Sequence, residues 1–223
     1  APIPGSLPSP PMVSRLRPAG LRTWRAPGRI NIIGDHTDYQ EGLCLPMAID
    51  RECRVSARLV DGGAVRASSA ELPGVVEVSA DASTEPLTVE PAWGRFVAGA
   101  VAAVTDAAAT VPACELTITS TVPAGSGLSS SSALSVGLVV ALLELADVAL
   151  DPVATARVAL DAEVRATGVP GGLLDQMASL HGVAGHVLLL DCRTLTVEPL
   201  ALPRSLGFVV VHSGVPRALV SSE

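Results

Sequence analysis

No charged residue interrupts the chain between Glu115 and Glu144. The run opens as CELTITSTV, whose alternation and β-branched residues predict a strand. It turns through PAGSG and continues as LSSSSALSVGLVVALLELA, whose length and Ala, Leu and Val content require a helix. A helix that is apolar on every side has to be covered on every side. Strand, glycine turn and buried helix therefore form one unit, and the rest of the chain must supply its cover.

The cover can be read on both sides of that unit. RINII, LCLPMAID and CRVSARLV read as strands, with shorter strand signals at AVRASS and GVVEVS. AWGRFVAGAVAAVTDAAA has apolar residues at helical spacing, which predicts a helix from Ala92 to Ala109. Another helix should start after Asp151, which can cap it with Pro152 in its first turn, and end near Gly168. A short helix follows in GGLLDQMASLHG, then a strand HVLLLDC, a turn, and a last strand GFVVVHS. The expected fold class is α+β: a mixed sheet with helices packed on it in two layers. The Pro-rich opening, residues 1–20, is expected to be an extended leader.

With 223 residues and 48% hydrophobic content, the chain has ample material for a core. A formal net charge of -7 gives no general attraction for nucleic acid or anionic membrane, so neither partner is expected. No apolar run reaches membrane-spanning length. The four cysteines have no metal-site or disulfide-framework spacing and suit a reducing, cytoplasmic setting. A nucleotide bound here would need its charge met locally, by backbone N–H groups, a metal ion and a few basic side chains.

Three segments could carry chemistry. PAGSGLSSSSA places small residues before a helix start, either as a cradle for an anion or as a serine-capped turn. It lacks the lysine of a Walker-type loop. APGRINIIGDHTD runs from a strand bearing Arg29 into a turn with Asp35, His36 and Asp38. These short polar groups suit neighbouring sugar hydroxyls, a solvated turn or, through the His-Asp pair, a metal ion. In GGLLDQ, Asp175 stands in an uncharged run, where it is either a catalytic base or a locally hydrogen-bonded cap. Glu163, in DAEVRATG, is either an oxygen ligand for Mg²⁺ or a solvated helix residue.

Together these segments resemble the galactokinase-type sugar kinases of the GHMP kinase family. APGRINIIGDHTDYQEGLCLPMAI is similar to the family's N-terminal signature, PAGSGLSSSSA to its phosphate loop, and GVPGGLLDQ to the segment with its catalytic aspartate. VVVHSGVPRALVSSE is similar to the strand and turn on the C-terminal side of that segment. The resemblance implies a GHMP kinase N-terminal domain, of the ribosomal protein S5 domain 2-like type. It implies Asp175 and Arg29 as catalytic residues, with Asp35, His36, Asp38 and Gly172 on the sugar. Gly125, Ser126, Gly127, Leu128, Ser129 and Ser130 would lie around the ATP phosphates, with Ser131 and Glu163 on Mg²⁺. The implied reaction moves the γ-phosphoryl group of ATP to the anomeric hydroxyl of a hexose, galactose before others.

The sequence departs from the family in three places: Asp35 stands for Glu, Gln40 for Asn, and Ser132 for Ala, the last expected to be tolerated. The shorter Asp35 leaves room for another sugar, such as N-acetylgalactosamine, arabinose or a uronic acid. A non-catalytic sugar and ATP sensor is the reading from another class. Residues 21–193 are expected to form the N-terminal domain and 194–223 the beginning of a second, whose remainder should pack on this chain. Without that remainder the chain is expected to bind weakly or be inactive.

Overall fold

The computed structural model describes residues 20–107 and 110–211. A five-stranded sheet is built from β1 (Arg22–Asn31), β3 (Pro46–Leu59), β4 (Ala64–Ser69), β5 (Val75–Ser79) and β6 (Cys114–Ser120), in the order β1-β3-β6-β4-β5. Only β4 and β6 run parallel, so the sheet is mixed. A second sheet joins β2 (Leu43–Cys44), β7 (His186–Asp191) and β8 (Thr196–Ala201) in the order β2-β7-β8.

Alternation along the strands decides which face is dry. Trp24 and Ala26, Cys53, Val55 and Ala57, Val65 and Ala67, Val76 and Val78, and Leu116 and Ile118 all point inward and are buried. The opposite face carries ion pairs, among them Arg54 with Glu52 and Arg58 with Glu115. Four helices cover the dry face: α1 (Arg95–Ala107), α2 (Ser130–Leu145), α3 (Pro152–Thr167) and α4 (Leu174–His181). α2 lies on β1 and β3 with α1, α3 and α4 around it, and Leu138 and Leu142 are fully buried. The uncharged helix is thus the core of the molecule, as its composition requires.

The boundaries of α3 follow from its end residues. Asp151 accepts a hydrogen bond from the Ala154 amide at 2.9 Å with Pro152 next in the chain, and Gly168 closes the helix at φ +72°.

Three expectations need correction. LCLPMAID and CRVSARLV are not two separate strands, because β3 runs unbroken from Pro46 to Leu59. The charged stretch Asp50, Arg51 and Glu52 looks like a turn, yet one face of this sheet is wet and tolerates charge in mid-strand. The expected turn after β7 contains β8, which pairs with β7 along its whole length. Residues 207–211 of GFVVVHS form no strand: they have no partner among the described residues, and Val209 and Val211 are exposed. His212 and Ser213 lie outside the described residues, as do most of the leader and Ala108 and Ala109.

Candidate active site

The end of β1 is where the three segments meet. At Gly28 the loop before α2 passes so close that an added Cβ would sit 2.7 Å from the Leu128 carbonyl oxygen, so only glycine fits there. The crossing is fixed by the Arg29 amide, which donates to that same Leu128 oxygen at 3.2 Å. The Arg29 side chain then reaches both other segments. Its Nη1 donates to the Gly127 carbonyl at 2.9 Å, while Nε and Nη2 each approach Asp175 Oδ1 at 2.6 Å. Ser129 donates to the other carboxylate oxygen, Oδ2, at 2.5 Å. Asp175 is thereby satisfied by partners although it stands alone in an uncharged run.

Ser129 explains how the loop stays open to an anion. It occupies the N-cap position of α2 in the left-handed region, φ +58°, and makes no side-chain capping bond. Its hydroxyl is directed at Asp175, so the first-turn N–H groups of α2 are not capped from that position. Gly125 and Gly127 also have positive φ, and nothing lies within 4 Å of a Cβ placed on Gly127. Ser126 turns back to the Pro123 carbonyl at 2.7 Å. Small residues at unusual dihedrals and unspent amides at a helix start together form a concave, anion-accepting surface.

Behind the loop stands Glu163 on α3. Burial pushes its carboxyl above the ordinary carboxylate range, and the charge of Asp175 acts in the same direction; Ser131, Ser132 and Gln176 oppose the shift as hydrogen-bond donors. Gln176 Nε2 donates to Glu163 Oε2 at 2.8 Å. Ser131 and Glu163 are therefore neighbours, and both offer only oxygen, the donor type that suits Mg²⁺. Among the described residues there is no group of three or more His, Cys, Asp or Glu side chains that could hold a metal ion. Two protein oxygens with phosphates and water completing the shell is the usual arrangement for nucleotide-bound Mg²⁺.

The polar turn after β1 is held to the same strand. Asn31, two residues beyond Arg29, donates through Nδ2 to Asp35 Oδ1 at 2.8 Å. His36 sits at φ +61° with Nδ1 2.6 Å from the Tyr39 hydroxyl. Asp38 is brought against Gly172, where an added Cβ would be 1.8 Å from Asp38 Oδ2. Asp35 and His36 are exposed, as recognition groups must be before they bind.

The structure thus joins Arg29, the 125–131 loop and Asp175 directly, and Asp38 with Gly172. Sequence reasoning missed Asn31, Gln176 and Ser132. Ser132, expected to be a tolerated replacement, is buried with its hydroxyl 3.4 Å from Asp175 Oδ2. Asn31 stands two residues from Arg29, on the same face of β1, and Gln176 adjoins Asp175, so nearness to the charged residue is the signal that could have found them.

This architecture is shared. Residues 95–183 match the GHMP kinases N terminal domain, and the solved structure of Methanococcus jannaschii mevalonate kinase has the same fold, with a TM-score of 0.68 at 14% identity over 83% of this chain and 56% of that one. Residues 95–183 thus form a GHMP kinases N terminal domain. Within that family the similarity is to the galactokinases. Residues 16–59 match the galactokinase galactose-binding signature. The galactokinase of Roseiflexus sp. (strain RS-1) is 38% identical over 89% of this chain and 50% of its own length, and that of Chloroflexus aggregans is 37% identical over 91% and 51%. The crystal structure of Lactococcus lactis galactokinase complexed with galactose matches with a TM-score of 0.75 at 31% identity, over 81% of this chain and 47% of that one. The chain spans about half the length of the curated relatives it matches.

Proposed function

We propose that this chain carries the catalytic centre of a galactokinase-like sugar-1-kinase, which moves the γ-phosphoryl group of ATP to the anomeric hydroxyl of a hexose, galactose first among the candidates. The observation that carries this reading is the Arg29, Asp175 and Ser129 contact set, which sets a carboxylate base and a fixed cation beside an anion-accepting loop. Asp175 orients the sugar hydroxyl and accepts its proton. Arg29 offsets the negative charge that develops between base and phosphate. The amides of residues 125–130 hold the phosphates in line, which is most of what phosphoryl transfer requires. Ser131 and Glu163 would hold Mg²⁺, which supplies charge neutralisation on the phosphates.

Asp35, His36, Asp38 and Gly172 hold the sugar in this reading. Gly172→Ala tests that part separately: the methyl group cannot share space with the Asp38 carboxylate, which must rotate away. Loss of one hydrogen bond to a charged group should raise the sugar Kd by about tenfold or more. Nucleotide affinity should stay unchanged, and calorimetric titration of each ligand reads both values.

A division near residue 194 is part of the proposal, with a further domain packing on the exposed apolar residues Leu206, Phe208, Val209 and Val211. So is a cytoplasmic setting, which the four free cysteines support. No helix among the described residues is long and apolar enough to cross a membrane. Incubating the chain, joined to the remainder expected to pack on it, with Mg·ATP and a panel of free sugars, followed by phosphorus NMR, tests the whole reading. Formation of a sugar 1-phosphate, with galactose the best acceptor, is expected; sugar binding without any phosphorylated product would make the protein a sensor instead.

A further inference from the structure

Gln176 follows Asp175 on α4 and is 1% exposed. Its amide nitrogen reaches across to α3 and donates to Glu163 Oε2 at 2.8 Å. Its amide oxygen is buried and has no hydrogen-bond partner. A buried acceptor left without a donor is destabilising, so the amide is poorly explained as packing alone. An apolar side chain of the same shape would fill that space without the penalty. The side chain does one polar thing, which is to fix a carboxylate that is itself buried.

The neighbours of that carboxylate show what fixing it achieves. Glu163 faces the Ser131 and Ser132 hydroxyls on α2, and Asp175 on α4 is close enough for its charge to be felt. Asp175 is in turn tied to Arg29 on β1. Left to itself, the Glu163 carboxylate could turn among these donors or swing away from the negative charge of Asp175. A donor on the residue next to Asp175 removes that freedom, and it ties the orientation of Glu163 to the same turn of helix that positions the base.

We propose that Gln176 is a positioning residue for the metal site: its amide holds the Glu163 carboxylate toward Ser131, so that the two oxygens are set before Mg²⁺ and nucleotide arrive. This rests on the assignment of Ser131 and Glu163 as the Mg²⁺ ligands. Groups that orient a ligand commonly change metal affinity by 10- to 100-fold when removed.

The test is Gln176→Met, which keeps the length and volume of the side chain and removes both polar atoms. ADP affinity of the full 223-residue chain is measured by calorimetry with Mg²⁺ and with excess chelator. The variant is expected to lose about tenfold in the affinity gained from Mg²⁺, to bind metal-free ADP as the parent does, and to melt no lower without ligand. In Glu163→Gln, adding Gln176→Met should cause no further loss, because the two residues act as a unit. Equal losses with and without Mg²⁺, or a lower melting midpoint, would assign Gln176 a structural role and overturn the inference. An unchanged Mg²⁺ effect would overturn it while leaving the metal ligands standing. No Mg²⁺ effect in the parent chain would remove the metal-site assignment itself, and this inference with it. Should Gln176→Met not fold, Gln176→Glu, which sets a like charge against Glu163, is expected to weaken the Mg²⁺ effect as well; failure of both to fold would also mark Gln176 as structural.

Discussion

Asp175→Asn is expected to slow sugar 1-phosphate formation by about 10³-fold and to leave nucleotide affinity unchanged. Both oxygens of this carboxylate are engaged in the free protein, Oδ1 by two nitrogens of Arg29 and Oδ2 by Ser129. The side chain is nevertheless 25% exposed, so a sugar hydroxyl can approach the remaining lone pairs. Asparagine fills the same volume but carries no charge, and its amide group cannot take a proton. Arg29 would also lose its counter-charge and would be drawn further toward the Gly127 carbonyl. The readout is kcat and KM for sugar beside nucleotide Kd. Turnover within about tenfold of the parent would remove Asp175 as the base, since a positioned base contributes more than that.

Gly99→Ala should lower stability by about 3 kcal/mol, or roughly 6–12 °C in melting midpoint for a chain of this size. In an exposed helix the same change would stabilise by about 0.8–1 kcal/mol, because alanine is the better helix former. Here the sign is reversed by geometry. A Cβ on Gly99 of α1 would lie 2.4 Å from the Ala162 carbonyl oxygen of α3 and 3.4 Å from the Ala166 amide nitrogen. All of these are backbone atoms, so no side chain can rotate to make room, and the two helices must separate. Ala162 precedes Glu163, so the displacement would reach the carboxylate proposed to hold Mg²⁺ and is expected to weaken Mg²⁺-dependent nucleotide binding together with stability. Thermal unfolding monitored by circular dichroism reads the first effect. An unchanged midpoint would mean that α1 and α3 lie farther apart than these distances require.

How much of the molecule is legible in its sequence depends on whether a residue's role is local. The buried helix α2 is legible because its uncharged run leaves no other option, and the ends of α3 because Asp151 and Gly168 act on their own backbone. Asp175 and Arg29 stand out as charges in places where a charge needs a reason. Gln176 does not, since an amide is unremarked until its partner is known, and that partner lies thirteen residues away on another helix. Asn31 differs in that its partner, Asp35, is only four residues on, but the turn between them has to be known before the contact can be read. Ser132 looks like a small residue replacing a smaller one, although its hydroxyl is buried between two carboxylates. The apolar content of GFVVVHS suggests a strand, but a strand also needs a neighbour to hydrogen-bond. β8 escapes notice because it contains Pro199, which has no N–H to give a ladder and is tolerated here only because β8 is the outer edge of the smaller sheet.

A crystal structure of the chain with galactose and a non-hydrolysable ATP analogue addresses the site most directly. The account predicts the terminal phosphate on the 125–131 loop beside Arg29, and the anomeric hydroxyl of the sugar within about 3 Å of the Asp175 carboxylate. Sugar and nucleotide bound at separate places, with Asp175 facing neither, would contradict it.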